Sequence, residues 1–392
     1  MVKRSDFVSD VSHQLLERNR IFEDFFAREA LPLAVACHEM SDRFLKGGRL
    51  LAFGRGPYAT DAQHVAVEFV HPIIVGKRAL PALDISLNFR PWLDAILRPE
   101  DIVMGFGPPE GDGEILDALF AAHTRGAMTF EMPGYGGTYP FHSPVQNPFV
   151  HQELMEILYH TLWETVHVFF EHRELGADVG DADFLYPFLG QQRQQTGDIV
   201  DEVAGSIREK VQEDSNLRMR VAREASARIV QTARAMGERV AQGGKLIIFG
   251  NGGSATDAND WAIDCVRPPA GYHPIPAISL SMEPASLTAI ANDVGIEVIF
   301  LRQLIAHARK EDVAIGISTS GGSRNIMMAL NEARKQGLLT VALLGYDGGD
   351  ILRHGLADFP LVVPSDYIPR IQEVQASTYH AIRETMEALA CG

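Results

Sequence analysis

Basic residues are scarce in this chain: 35 Lys and Arg stand against 51 Asp and Glu over 392 residues, a formal net charge of −16. That balance argues against a broad basic face and so against nucleic acid as a partner. An anion held locally by backbone amides is still compatible with it. Cysteine is nearly absent, with only Cys37, Cys265 and Cys391, so a reducing cytosol is expected and no disulfide framework. Cys265 falls in an apolar helical pattern and reads as a buried thiol, not a nucleophile. No apolar run is long enough to cross a bilayer, and Met1-Val2-Lys3-Arg4-Ser5-Asp6 carries no apolar signal segment. The expectation is a soluble cytoplasmic protein with no membrane partner. A full G-x-G-x-x-G and a P-loop lysine are both missing, which argues against a nucleotide cofactor.

What is present is a repeat. Gly47-Gly48-Arg49-Leu50-Leu51-Ala52-Phe53-Gly54 with Ala59-Thr60-Asp61-Ala62 returns, 196 residues later, as Gly243-Gly244-Lys245-Leu246-Ile247-Ile248-Phe249-Gly250 with Ala255-Thr256-Asp257-Ala258. So long a period implies duplication of a whole domain, and the length suits two cores of ordinary size. The pattern predicts helices over 8–46, 60–69, 152–174, 198–242, 256–266, 325–336 and 371–390, and strands over 49–54, 245–250, 277–280, 313–317 and 339–344. Strands separated by helices imply an α/β fold, a doubly wound parallel sheet covered on both faces in each domain. The domains are read as 1–175 and 195–392, with 176–194 as linker.

The second copy carries the clearest chemistry. Its first strand runs into Asn251-Gly252-Gly253-Ser254 and then a helix, where free N–H groups and the dipole favour an anion. A second loop, Ser318-Thr319-Ser320-Gly321-Gly322-Ser323, also follows a strand and precedes a helix. Two such loops at strand carboxyl ends place a phosphate at the expected crevice.

These residues, with Ala291-Asn292-Asp293-Val294-Gly295, Leu344-Gly345-Tyr346-Asp347-Gly348-Gly349 and Arg370-Ile371-Gln372-Glu373, resemble the sugar isomerase (SIS) domain family, in its phosphoheptose isomerase branch. The resemblance spans essentially all of 195–392. It implies a Rossmann-like three-layer fold in each copy, a sugar phosphate substrate such as sedoheptulose 7-phosphate, aldose–ketose isomerisation and a divalent metal, zinc being expected. It implies phosphate and sugar contacts from Asn251, Gly253, Ser254, Asn292, Asp293, Ser318, Thr319, Ser320, Ser323 and Gln372. Some relatives bind without catalysis, so a phosphosugar-binding or protein-interaction role is the alternative.

The family's metal ligands are a His and a Glu four apart on one helix and a Gln and a His eight apart near the last. In the second copy those positions hold Asp260, Asp264, Gln372 and His380, which offer oxygen in place of one imidazole. The first copy holds the family's set: His64, Glu68, Gln152 and His160. Its anion loops, however, become Arg55-Gly56-Pro57-Tyr58 and Gly107-Pro108-Pro109-Glu110-Gly111-Asp112, where prolines remove donors and acids repel phosphate. The Asn292-Asp293 segment and the helix after it have no counterpart there. Eight helical residues rise about 12 Å, so Gln152 and His160 share an ion only if the Gln precedes the helix or the ligands come from different protomers. The expectation is a composite interdomain site in a homodimer, with metal on the first copy, phosphate on the second, and Glu68 with His160 or His380 moving the proton.

Overall fold

The structure, a computed structural model, describes residues 4–72, 77–134, 136–175 and 196–391; the 176–194 linker lies outside them. Two compact units are present, one of residues 20–213 and one of residues 1–19 with 214–392. The first 19 residues thus belong with the second copy, and the start of the helix Thr196–Ala241 belongs with the first. Helical periodicity runs unbroken through both helices, so no sequence signal marks either change.

In the first copy α1 (Arg4–Leu45) leads to β1 (Leu50–Gly54), α2 (Ala59–Val70), β2 (Ala82–Asp84), α3 (Phe89–Ile96), β3 (Ile102–Phe106), α4 (Gly113–Thr124), β4 (Met128–Met132), β5 (Tyr139–Pro140) and α5 (Pro148–Leu175). The second copy follows with α6 (Thr196–Ala241), β6 (Leu246–Gly250), α7 (Gly253–Val266), β7 (Ala277–Ser279), α8 (Pro284–Asp293), α9 (Ile299–His307), β8 (Val313–Ser318), α10 (Arg324–Lys335), β9 (Leu339–Leu344), α11 (Gly349–Arg353), β10 (Phe359–Val362) and α12 (Ile368–Cys391). The sheets order as β2-β1-β3-β4-β5 and β10-β9-β8-β6-β7, the same topology twice, and every pairing is parallel. The central strands β1, β3, β4, β6 and β8 are buried along their whole length, as strands of a parallel sheet between two helical layers are; β4 alone of these buries polar side chains in its middle, Thr129 and Glu131. This is the α/β arrangement that the sequence predicts. Among the described residues no helix is long and apolar enough to cross a membrane. Cys265 is buried, and burial pushes its thiol up to about 12.

The recurrent Gly-Gly pair has a steric cause. Gly47 and Gly243 turn the chain out of a long helix at φ +85 and +89, and a Cβ on Gly48 or Gly244 would lie 2.2 or 2.1 Å from the carbonyl oxygen of Glu100 or Glu311. Next to each pair a buried carboxylate clasps the strand. Asp101 accepts from Arg49 N at 3.0 Å and Arg49 Nη2 at 2.7 Å. Asp312 accepts from Lys245 N at 2.9 Å, Lys245 Nζ at 2.5 Å and Arg309 N at 2.8 Å. Replacing Asp312 by Ala leaves two amides and an ammonium without their acceptor, so a loss of about 2–4 kcal/mol is expected. A urea midpoint that moves by less than the equivalent of about 0.5 kcal/mol would contradict this.

One sequence expectation is corrected. The helix after Asn292-Asp293 does have a first-copy counterpart: α3 (Phe89–Ile96) lies between β2 and β3 as α9 (Ile299–His307) lies between β7 and β8. Phe89 stacks on Phe53 at 4.4 Å, and Phe300 packs on Phe249 at 5.4 Å. Among the described residues the first copy has no counterpart of α8, and that deletion changes the offset between copies and conceals the match.

Candidate functional site

In the first copy α2 carries His64 and Glu68 one turn apart on one face, and α5 carries Glu156 and His160 with the same spacing. All four are buried. His160 Nε2 and His64 Nε2 face each other at 3.4 Å, His64 Nε2 lies 3.7 Å from Glu68 Oε1, and His64, Glu156 and His160 each place a ligand atom within 4.8 Å of the others. Tyr159 OH meets His64 Nδ1 at 3.0 Å, which fixes the ring and leaves Nε2 for the cluster. Burial, and then His160, hold His64 well below the usual imidazole range, so it is a neutral ligand near pH 7. Burial, and then Glu164, raise Glu68 to about 8. Glu68 Oε2 is buried with no hydrogen-bond partner among the described residues. Two imidazoles and two carboxylates with an unanswered oxygen fit a divalent ion of the zinc type.

Gln152 sits in the second turn of α5, not before it, about 12 Å of helical rise from His160. Glu156, which the sequence reading missed, stands beside the histidines. Comparing the copies hides it, because the equivalent residue of α12 is Ala376. Tyr159 was legible in principle: the pair Tyr159-His160 returns as Tyr379-His380.

The second copy gathers Asp260, Asp264 and His380 in the corresponding place, with Gln372 two turns before His380 within α12. Here the groups answer one another. His380 Nε2 lies 3.2 Å from Asp264 Oδ2 and 3.7 Å from Asp260 Oδ2, and Tyr379 OH donates to Asp260 Oδ2 at 2.7 Å. Burial, and then Asp260, raise Asp264 to about 7. His380 Nε2 and Tyr379 OH thus give both carboxyl groups a partner within the cage.

The loops that follow β6 and β8 lie at the ends of adjacent central strands, where the strand order reverses, the position at which open α/β sheets bind ligands. Gly252 caps α7 with no side-chain acceptor, and Ser254 opens its first turn. Ser318 Oγ bonds Ser323 Oγ at 3.1 Å and accepts from Gly321 N at 3.1 Å, and Ser320 Oγ accepts from Gly322 N at 3.2 Å. Thr319 is half-buried and Ser320 exposed. Ser323 does not cap α10 with its side chain, and Ile326 N donates to Asn325 Oδ1 at 2.9 Å. Asn251 and Asn325 exchange two amide hydrogen bonds, at 3.0 and 2.9 Å, tying one loop to the helix after the other. Asn292 and Asp293 are exposed at the end of α8, joined at 2.8 Å.

The first copy fills the same positions with its own charges. Asp112 caps α4, its Oδ1 accepting from Glu114 N at 2.9 Å and Ile115 N at 3.3 Å. Arg55 Nη1 pairs with Asp112 Oδ2 at 3.0 Å and lies 3.4 Å from Glu114 Oε2, replacing the Asn251–Asn325 exchange by an ion pair. The Asp112 carboxylate thus takes the cap position at which Ser323 of the second copy makes no side-chain bond.

The SIS domain family profile matches residues 211–345. The phosphoheptose isomerase of Geobacter sp. (strain M21) is 48% identical over 146 residues, 37% of this chain and 75% of that protein. That of Geobacter sulfurreducens is 43% identical over 166 residues, 42% of this chain and 87% of that protein. Over both copies the fold matches the C-terminal domain of glucosamine-fructose-6-phosphate aminotransferase from Francisella tularensis, with a TM-score of 0.63 across 96% of this chain and 94% of that one, at 8% identity. With its two parallel sheets of like topology, the chain belongs to the phosphoheptose isomerase family of SIS domain proteins.

Proposed function

We propose that the chain is a sugar phosphate isomerase that interconverts aldose and ketose forms, with sedoheptulose 7-phosphate as its substrate. The observation that carries this reading is the contrast between the loops: the serine-rich loop of the second copy starts α10 with no side-chain cap from Ser323, where the first copy caps the matching helix with the carboxylate of Asp112. Ser254, Ser318, Thr319, Ser320 and Ser323 hold the phosphate with the amides of Gly253 and its neighbours, and remote binding energy orients the carbon end. Asn251 braces the loop, and Asn292, Asp293 and Gln372 orient hydroxyls. His64, Glu68, Glu156 and His160 hold a divalent ion, which when bound supplies polarisation of the carbonyl and hydroxyl oxygens. Glu68 takes and returns the proton that moves between C2 and C1, with His160 or His380 serving the oxygens. A homodimer of the chain, part of the same reading, presents four domains.

One observation favours a binding role without catalysis. The Asp260–Asp264–His380 cage is internally satisfied, where a working metal site would leave ligands unanswered. A single assay separates the two readings. Incubation with sedoheptulose 7-phosphate is expected to give heptose 7-phosphate, with turnover lost on chelation and restored by zinc. Saturable binding with no product under either condition would leave the binding role.

A further inference from the structure

The first copy retains an open crevice at its own strand ends, and its chemistry differs from that of the second copy. The crevice has a volume of about 590 Å³, within the usual range of about 300–1,000 Å³ for small-molecule sites. Its framework is shared with the second copy. Gly54 N donates to Ser86 Oγ at 3.1 Å as Gly250 N donates to Ser281 Oγ at 3.2 Å, and strand pairing sets Asp84 at the position of Ser279. The lining has been rewritten around that framework. Asp84 brings a carboxylate in place of a hydroxyl, and Arg55 and Glu114 replace two asparagines.

Three features define what fits. Amides at the start of α4 are already bonded to Asp112, and Asp84 and Glu114 border the space, so a phosphate loses those helix amides and meets two carboxylates. Arg55 and Arg90 offset the two carboxylates in the lining, and Arg90 Nη2 is engaged by the Glu114 carbonyl at 3.1 Å, so a net ionic ligand has no unanswered charge to meet. The lining also holds the amide side chains of Gln63 and Asn88 and the apolar surface of Phe89 and of Leu87, which is 98% exposed. Hydroxyl groups use both donors and acceptors, and sugar C–H faces lie against such apolar surface. We propose that this crevice binds an uncharged polyhydroxylated compound, a free sugar or polyol without phosphate.

Sedoheptulose and mannitol, titrated calorimetrically into the full chain, test this. Saturable binding of at least one is expected, unchanged by excess inorganic phosphate and weakened about tenfold or more by Asp84→Ala and by Arg90→Ala, each of which removes a charged hydrogen-bonding group. Arg90 and Leu87 are exposed, so Arg90→Ala and Leu87→Trp fold even if Asp84→Ala does not, and the tryptophan reports occupancy by fluorescence. No saturable binding of either probe, binding displaced by phosphate, or binding untouched by Arg90→Ala and Leu87→Trp overturns the proposal. Sugar phosphate turnover is followed on the same samples, so failure of the isomerase reading registers in that assay and leaves the titration to decide this one.

Discussion

Replacement of His64 by alanine is expected to remove the bound metal and the turnover together, with activity falling about 10³-fold or more. His64 Nε2 faces both His160 Nε2 and Glu68, and Tyr159 orients its ring from behind, so its loss removes an imidazole that joins the α2 and α5 ligands. A fall of three decades corresponds to about 4 kcal/mol, in the range of several kcal/mol that a Lewis-acid contribution supplies. Metal content by mass spectrometry and rate by product formation are read on one preparation. Full activity of His64→Ala in metal-free buffer would sink the assignment. A second pair of variants separates the family's ligand pattern from the geometry seen here. Glu156→Gln is expected to weaken metal affinity about 10–100-fold, and Gln152→Ala to leave it within a few-fold. The reverse order would return Gln152 to the ligand set.

Gly321→Val is expected to be the most damaging change in the second copy's loops. Gly321 has φ +62, and a Cβ there would lie 2.2 Å from the Gly348 carbonyl oxygen; on the facing turn a Cβ on Gly349 would lie 2.4 Å from the Ser320 carbonyl oxygen. Two backbones meet here with no room for a side chain, which gives a physical reason for the glycines of Gly345-Tyr346-Asp347-Gly348-Gly349. A β-branched residue adds left-handed strain of about 1–3 kcal/mol to that collision, and the loop must move away. Stability is expected to fall by about 3 kcal/mol or more, and stabilisation by inorganic phosphate to vanish. Gly322→Ala is the control: its Cβ would meet nothing nearer than Ser320 Oγ at 3.9 Å, so its unfolding midpoint should stay near that of the parent. Equal effects from the two substitutions would disprove the steric account.

Much of the fold was legible because β1 and β6 are continuous apolar runs ended by glycine that recur in register, whereas the central strands Ile102–Phe106 and Met128–Met132 of the first copy were not read as strands, the latter carrying Thr129 and Glu131. Lys245 to Gly250 reads as a strand, and the structure starts it one residue later. Edge strands were harder. Phe359–Val362 and Tyr139–Pro140 each contain a proline, which is tolerated at a sheet edge and weakens the strand pattern. At the site, residues that recur in register were found, while residues special to one copy were not. Glu156 is matched by alanine, and Asp112 reads as an acid that repels phosphate, whereas its carboxylate satisfies the helix amides itself. The sequence supplies the charge of Asp112; which way that charge is used depends on a φ/ψ setting at the helix cap that no residue pattern records.

The distribution of residues between the two units also bears on synthesis. Residues 20–213 form a complete unit and can close while the rest of the chain is still being made, as folding by units allows. Residues 1–19 emerge earlier, yet Val11 and Leu15 pack into the core built from residues 221–386, so these apolar side chains wait for partners translated some two hundred residues later. A chaperone acting on the nascent chain has its clearest substrate there, and a fragment started at the apparent boundary near 195 would lack both residues from its core.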